Sequence, residues 1–354
     1  VLAGASVGVA AALAVTRLGI ANAMGPTVLT TSQVASKVDP GLVDIVTNLG
    51  YQNGEAAGTG MVLTSTGEVL TNNHVINGAT SIKATDIGNG RTYTANVVGY
   101  DKTGDVAVIQ LQNASGLQTV ALSSSAAKVG DKVTALGNAG GKGGTPSVAT
   151  GKVTSLNQAI TAADEGVANP EHLTGMTQTN VPIQPGDSGG PLLNSAGEVV
   201  GMNTAASTSI STTGFQQQSG QTATQAFAIP IAKATAIAGQ IEAGQASSTV
   251  HLGSTAFLGV EVSATGTGGY GFGSGSSSSG ATIVGTVAGS AAAQAGLAAG
   301  DQITSVGGHA VSSSPEIASV LQQYHPGQKI SISWTDQSGQ SHTATVTLTT
   351  GPAA

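Results

Sequence analysis

The 354 residues are enough for two or three domains of about 100 to 200 residues each, with a sizeable core. Glycine occurs 52 times and charged residues make up only 8%, yet 40% of the chain is apolar, which excludes a coiled coil and a charge-driven disordered chain. A net charge of -7 argues against nucleic acid as a partner, and the absence of cysteine removes disulfides, thiolate metal sites and a cysteine nucleophile.

Val1 to Val15 are almost all apolar or small, Arg17 follows, and Ala21-Asn22-Ala23 has the small-x-small form of an export cleavage site. Val1 stands where Met would open a complete chain, so residues 1–23 are expected to be a truncated signal peptide or, through residues 1–20, a membrane anchor. Residues 24–42 form an N-terminal segment. From Val43 to Ile229 short β-type runs alternate with Gly, Asn, Asp and Ser. Met61-Val62-Leu63 and Val69-Leu70 read as a hairpin around Ser65-Thr66-Gly67, and Val106 to Leu111 as a core strand. Many short strands at regular spacing predict a sandwich or barrel. The first sustained helical pattern, Ile231 to Ala243 with Gly244 as its stop, closes this β unit, which spans 43–244.

Residues 245–254 read as a linker, and 255–350 as a small α+β module. Within the module Ser314 is expected to cap a helix that has Pro315 at its first position. Ile317, Val320, Leu321 and Tyr324 then form one apolar stripe, while Ile330 to Trp334 and Ala344 to Leu348 alternate as half-buried strands do. Thr265 to Gly280 is nearly all Gly, Ser and Thr and is expected to be a mobile loop. Its Gly266-Thr-Gly-Gly-Tyr-Gly271 string runs into Gly/Ser repeats rather than a helix, so it is not a dinucleotide site.

Gly186-Asp187-Ser188-Gly189-Gly190-Pro191 carries the most specific chemistry. Glycines beside a serine permit a sharp turn that exposes Oγ and aims the Gly186 and Ser188 N–H groups at one point, as an oxyanion hole requires. A serine hydroxyl is a weak nucleophile, so a histidine base and an orienting carboxylate are needed. His74, directly after the Val69-Leu70 strand, is the candidate base. His172 lies in a polar stretch, and the other four histidines fall in the linker or the second module. Asp101 and Asp105 compete for the third role. Asp105 is preferred because it stands at the mouth of an apolar strand, where a buried carboxylate needs a fixed partner, whereas Asp101 lies in a turn.

The order His74, Asp105, Ser188 resembles that of the chymotrypsin-fold serine peptidases. Gly58-Thr59-Gly60, Thr71-Asn72-Asn73-His74-Val75-Ile76, Gln178-Thr179, Gly201-Met202-Asn203-Thr204 and Phe227-Ala228-Ile229-Pro230 narrow the resemblance to the HtrA/DegP family, nearest to its secreted mycobacterial PepA-type members. The second module is similar to the PDZ domain that follows the protease in that family.

The resemblance implies a mainly β fold, a chymotrypsin-like double β-barrel of six strands each with the triad in the cleft between them, followed by the PDZ domain. It implies a cofactor-free, metal-free exported serine endopeptidase, secreted or held in the cell envelope, that cleaves unfolded polypeptides and assembles as a homotrimer. Pro182 would form the base of the substrate pocket, with Val181 and Ile183 beside it and Asn203, Thr204 and Ala205 as a wall. No acidic residue stands among them, so cleavage after Lys or Arg is disfavoured. In the PDZ domain, Phe257-Leu258-Gly259-Val260 resembles a carboxylate-binding loop, and a groove between it and Ile317, Val320 and Leu321 would take peptide C-termini as an added strand. Asn180 and Asp187 depart from the family pattern of Asp and Asn, and Ala206 to Ala226 is a long insertion. The rival reading is a catalytically silent peptide-binding scaffold or chaperone.

Overall fold

The computed structural model describes residues 29–51, 54–162, 171–207, 225–263 and 280–353. The segment expected to direct export and all but one residue of the Thr265 to Gly280 loop lie outside them. Helix α1 (Thr31–Val38) starts on a reciprocal cap in which Thr30 Oγ1 accepts from Gln33 N–H and Gln33 Oε1 accepts from Thr30 N–H. Six strands follow: β1 (Leu42–Leu49), β2 (Gly54–Val62), β3 (Glu68–Thr71), β4 (Ser81–Asp86), β5 (Thr92–Asp101) and β6 (Val106–Leu111), with the short helix α2 (Asn73–Ile76) after β3. They pair in the order β5-β4-β1-β2-β3-β6, and β6 pairs back onto β5 to close a barrel.

A second closed barrel is built from β7 (Lys132–Gly137), β8 (Ser147–Ala162), β9 (Glu171–Thr179), β10 (Pro191–Leu193), β11 (Val199–Ser207) and β12 (Gln225–Pro230). Helix α2 apart, the two six-stranded barrels are the architecture implied by the resemblance. Helix α3 (Ile231–Glu242) follows, its buried residues Ile231, Ala234, Ala238 and Ile241 spaced at three and four.

The apolar run of β6 is explained by the two cores it serves. Val106 and Val108 join a cluster shared by both barrels, α1 and α3, while Ala107, Ile109 and Leu111 point into the first barrel's own interior. A strand that serves two cores has no solvent face, so its sequence reads as continuous rather than alternating.

The predicted linker contains a strand. β13 (Val250–Leu252) adds to β5 antiparallel at Gly99–Asp101 and so extends the first barrel's sheet. After it come β14 (Ala256–Phe257), β15 (Val260–Val262), β16 (Ala281–Thr286), α4 (Ala291–Ala295), β17 (Gln302–Val306), β18 (His309–Ala310), α5 (Ser314–Leu321), β19 (Lys329–Thr335), β20 (Ser341–Thr347) and β21 (Thr349–Thr350). The main sheet runs β15-β16-β17-β19-β20, which leaves β15 on an edge, and a separate core forms around Leu258, Ile303, Ile332 and Leu348. Ser313, not Ser314, caps α5 through Glu316 N–H, so Pro315 occupies the second helical position. Tyr324 lies beyond the helix end but still packs on this core.

Residues after β21 return to the first barrel. Ala353 donates to Ala79 O and accepts from Gly78 N–H, two positions past α2. Phe257 stacks on Tyr51 at 5.3 Å between ring centroids.

Candidate active site

The chain leaves β3 at Thr71 and turns into α2, which sets His74 at the barrel rim with 18% of its side chain exposed. Asp105, at the start of β6, is fully buried and adopts φ 52°, a left-handed conformation that Asp tolerates better than most side chains. Asn72 Nδ2 donates to the Asp105 backbone carbonyl at 2.9 Å and fixes this kink. The carboxylate faces His74, whose Nδ1 lies 2.9 Å from Oδ2 and whose backbone N–H donates to Oδ1 at 3.0 Å. Thr204 Oγ1 completes the set by donating to Oδ2. A buried carboxylate is tolerated when its oxygens are paired in this way. Asp101 is employed elsewhere, its Oδ1 accepting from Thr103 Oγ1 and Gly104 N–H within its own turn.

Ser188 sits on the loop between β9 and β10, and its Oγ donates to the Thr204 backbone carbonyl at 3.0 Å. Thr204, at the bulge in β11, therefore touches both Ser188 and Asp105, and Asp105 in turn faces His74. Gly186 and Gly189 have φ 98° and 84°, and a Cβ would overlap the carbonyl oxygens of Asn138 and Thr59 respectively. Among the described residues, neither the Gly186 nor the Ser188 N–H donates to a protein acceptor, so both are available to an outside oxygen.

Between them, Asp187 turns inward. Its oxygens accept from Ser147 Oγ at 2.9 Å and Gln184 N–H at 2.8 Å, and burial raises its carboxyl pKa above the ordinary carboxylate value. Burial raises that of Asp44 as well; it accepts from Gly144 N–H in the segment joining β7 to β8.

The residues expected to line the pocket divide. Val181 and Ile183 point into the second barrel's core beside Val153 and Leu192, and Pro182 is exposed between them. Asn203 is buried with Nδ2 donating to Pro191 O, and Thr204 is buried through its contact with Asp105. Ala205 pairs with Phe227 in β11; its side chain lies outside the description. The insertion after it connects β11 to β12, whose outermost pair is Ser207 with Gln225. Sequence reasoning assigned Thr204 to the pocket wall and missed its hydroxyl's bond to a carboxylate 99 residues away.

In the second module Leu258, Ile317, Val320 and Leu321 all sit in one core, with Val260 partly buried against it. Gly259 O accepts from Val287 N–H and Ser290 Oγ, which holds the Phe257–Val260 loop over the start of α4. Among the described residues β15 pairs only with β16, so its other edge could take a further strand.

Among the described residues no group of three or more His, Asp or Glu side chains could hold a metal ion, and no helix is long and apolar enough to cross a membrane. Residues 58–202 match the trypsin-like peptidase domain and residues 282–334 the PDZ domain. Over 329 residues the chain is 37% identical to the serine protease PepD of Mycobacterium tuberculosis, covering 89% of this chain and 65% of that protein. It is 34% identical over 281 residues to the periplasmic pH-dependent serine endoprotease DegQ of Escherichia coli, covering 78% of this chain and 56% of that one. In both its domains the chain is similar to HtrA-type serine proteases. It spans about three fifths of the length of these HtrA relatives. A solved HtrA-type protease, AlgW with a tripeptide, is 28% identical with a TM-score of 0.49, covering 92% of this chain and 98% of that one. Asn180 Oδ1 accepts from Lys152 N–H at 2.7 Å, which ties the end of β9 to β8 beside the loop.

Proposed function

We propose that the chain is an exported HtrA-type serine endopeptidase acting on unfolded polypeptides. Ser188 Oγ attacks the scissile carbonyl and passes its proton to His74 Nε2. His74 then protonates the leaving amine, and water repeats the sequence to release the acyl group. Asp105, on the Nδ1 side, holds the imidazole in the tautomer that leaves Nε2 basic and stabilises the imidazolium. The N–H groups of Gly186 and Ser188 receive the carbonyl oxygen as it becomes negative. The observation that carries this reading is the pair of contacts made by one residue: Thr204 accepts from Ser188 Oγ and donates to the carboxylate that faces His74. The periplasmic setting of the DegQ and DegP relatives supports export. Retention through residues 1–20 and assembly as a homotrimer belong to the same proposal.

With no acidic group among residues 181–183 and 203–205, the preferred side chain before the cut is Val, Ala, Leu or Ile, with a broad range because each methylene is worth only about 1 to 3 kcal/mol. Cuts in unfolded casein, mapped by mass spectrometry, should fall mainly after such residues and vanish in Ser188→Ala. A majority after Lys or Arg would refute the specificity, and casein cleavage by Ser188→Ala would refute the mechanism.

The PDZ domain is proposed to take the C-terminus of an extended peptide along the edge of β15, its carboxylate at the Phe257–Val260 loop. In calorimetry a free-acid peptide with an apolar last residue should bind more tightly than its amide. Equal affinities would remove the carboxylate site.

A further inference from the structure

The Gly58-Thr59-Gly60 motif has no part in the reaction above, yet its threonine is almost wholly buried and links three segments. Thr59 N–H donates to Ser188 O at 2.8 Å, its Oγ1 donates to Gly186 O at 2.8 Å, and the same Oγ1 accepts from Asn138 N–H at 2.9 Å. Its carbonyl accepts from Thr71 Oγ1 at 2.7 Å, which anchors this part of β2 to β3.

The C=O and N–H of one trans peptide point in opposite directions, so whatever holds a carbonyl aims the next residue's N–H. Ser188 N–H is aimed by the Asp187 carbonyl, which accepts from Gly190 N–H at 3.0 Å inside the same loop. Gly186 N–H is aimed by the Pro185 carbonyl, which accepts at 2.7 Å from Gly140, a residue of the separate 138–141 turn. One half of the oxyanion hole is thus local, and the other depends on a turn 45 residues upstream staying in register with the loop. The Thr59 hydroxyl sits between the two and bonds both.

We propose that Thr59 is a positioning residue: its hydroxyl keys the 138–141 turn to the 185–188 loop and so keeps Gly186 N–H directed at the oxyanion. Without Oγ1, the buried Gly186 C=O and Asn138 N–H lose their shared partner: the 186–187 peptide is released to rotate, and the 138–141 turn, whose Gly140 N–H holds the Pro185 carbonyl and so aims Gly186 N–H, loses its tie to the loop. The proposal rests on Ser188 as the nucleophile.

The test compares wild type, Thr59→Val and Thr59→Ser as full chains. Steady-state kinetics on a peptide substrate are combined with carbon-13 NMR of the adduct of a labelled peptidyl chloromethyl ketone. In that adduct Ser188 Oγ adds to the ketone carbon and His74 displaces chloride, so the pKa of the resulting hemiketal oxygen reports the strength of the hole. Thr59→Val is expected to lower kcat by roughly 10² to 10³, the scale of losing one oxyanion donor, with KM within a few-fold of wild type and a raised hemiketal pKa. Thr59→Ser should recover most of both. An unchanged kcat and hemiketal pKa in Thr59→Val would overturn the proposal, as would a Ser variant as poor as the Val one. If Thr59→Val does not fold, Thr59→Ala carries the same test in less volume, and unfolding of both would overturn the proposal by placing the hydroxyl's role in folding. A wild-type chain that forms no adduct at Ser188 would refute the peptidase reading instead.

Discussion

The first barrel and the second hold their share of the site by different means. His74 and Asp105 are fixed by side chains: Asn72 pins the Asp105 backbone, and three donors converge on its buried carboxylate. The Ser188 loop is fixed mainly through its backbone, the carbonyls of Pro185, Gly186, Asp187 and Ser188 being held by Gly140, Thr59 and Gly190, with the Asp187 carboxylate adding bonds from Ser147 and Gln184. A buried charge network fails sharply when one member is lost, because the remainder stays desolvated and unpaired. A backbone cradle degrades by rotation of a peptide, and its failure appears in rate more than in stability.

The largest expected effect breaks the first arrangement. Asp105→Asn should lower kcat by about 10⁴ with peptide binding nearly unchanged, because an amide favours the wrong imidazole tautomer. Thr204→Val removes one hydrogen bond to the same carboxylate and should cost kcat roughly ten- to hundredfold, the scale of a bond to a charged group. Steady-state kinetics of the two single variants and the double variant check this. A double variant much worse than Asp105→Asn alone would show that Thr204 acts independently of the carboxylate.

The smallest effect concerns the one charged group within the cradle. Burial raises the Asp187 pKa, so the ionised form opposes folding, and its contribution to stability is greatest below the unfolded value near 3.8 and is lost as pH rises through the folded value. Asn can still accept from Gln184 N–H while Ser147 turns its hydroxyl to accept from Nδ2. Asp187→Asn should therefore melt higher than wild type at pH 7, with the gap narrowing toward pH 4 and kcat changed only a few-fold. A gap that widens toward low pH would contradict this.

The same contrast decides what could be read in advance. Choosing Asp105 over Asp101 needed only neighbouring letters, since one residue opens an apolar strand and the other lies in a turn with Thr103 and Gly104 to bind. The β unit, α3 and the second module are visible as alternation, apolar density and helical spacing, whereas two barrels rather than a sandwich follow only from the family resemblance. What was not legible had no letter to mark it. The carbonyl holds at Pro185 and Asp187 are made by Gly140 and Gly190 N–H groups, which every non-proline residue carries. β13 is three residues whose strand character comes from the exposed edge of β5 rather than from Val250-His251-Leu252. Thr204 and Thr59 were placed by pattern, but their hydroxyl partners lie 99 and 127 residues away, and only the closed barrels bring them together.

That His74, Asp105 and Ser188 form one working site is tested most directly by labelling the full chain with a fluorophosphonate and locating the adduct by tandem mass spectrometry. A single adduct on Ser188 is predicted, absent in Ser188→Ala, lost in His74→Ala and slowed strongly in Asp105→Asn. No adduct in the wild-type chain, or an unchanged labelling rate in His74→Ala, would contradict the account.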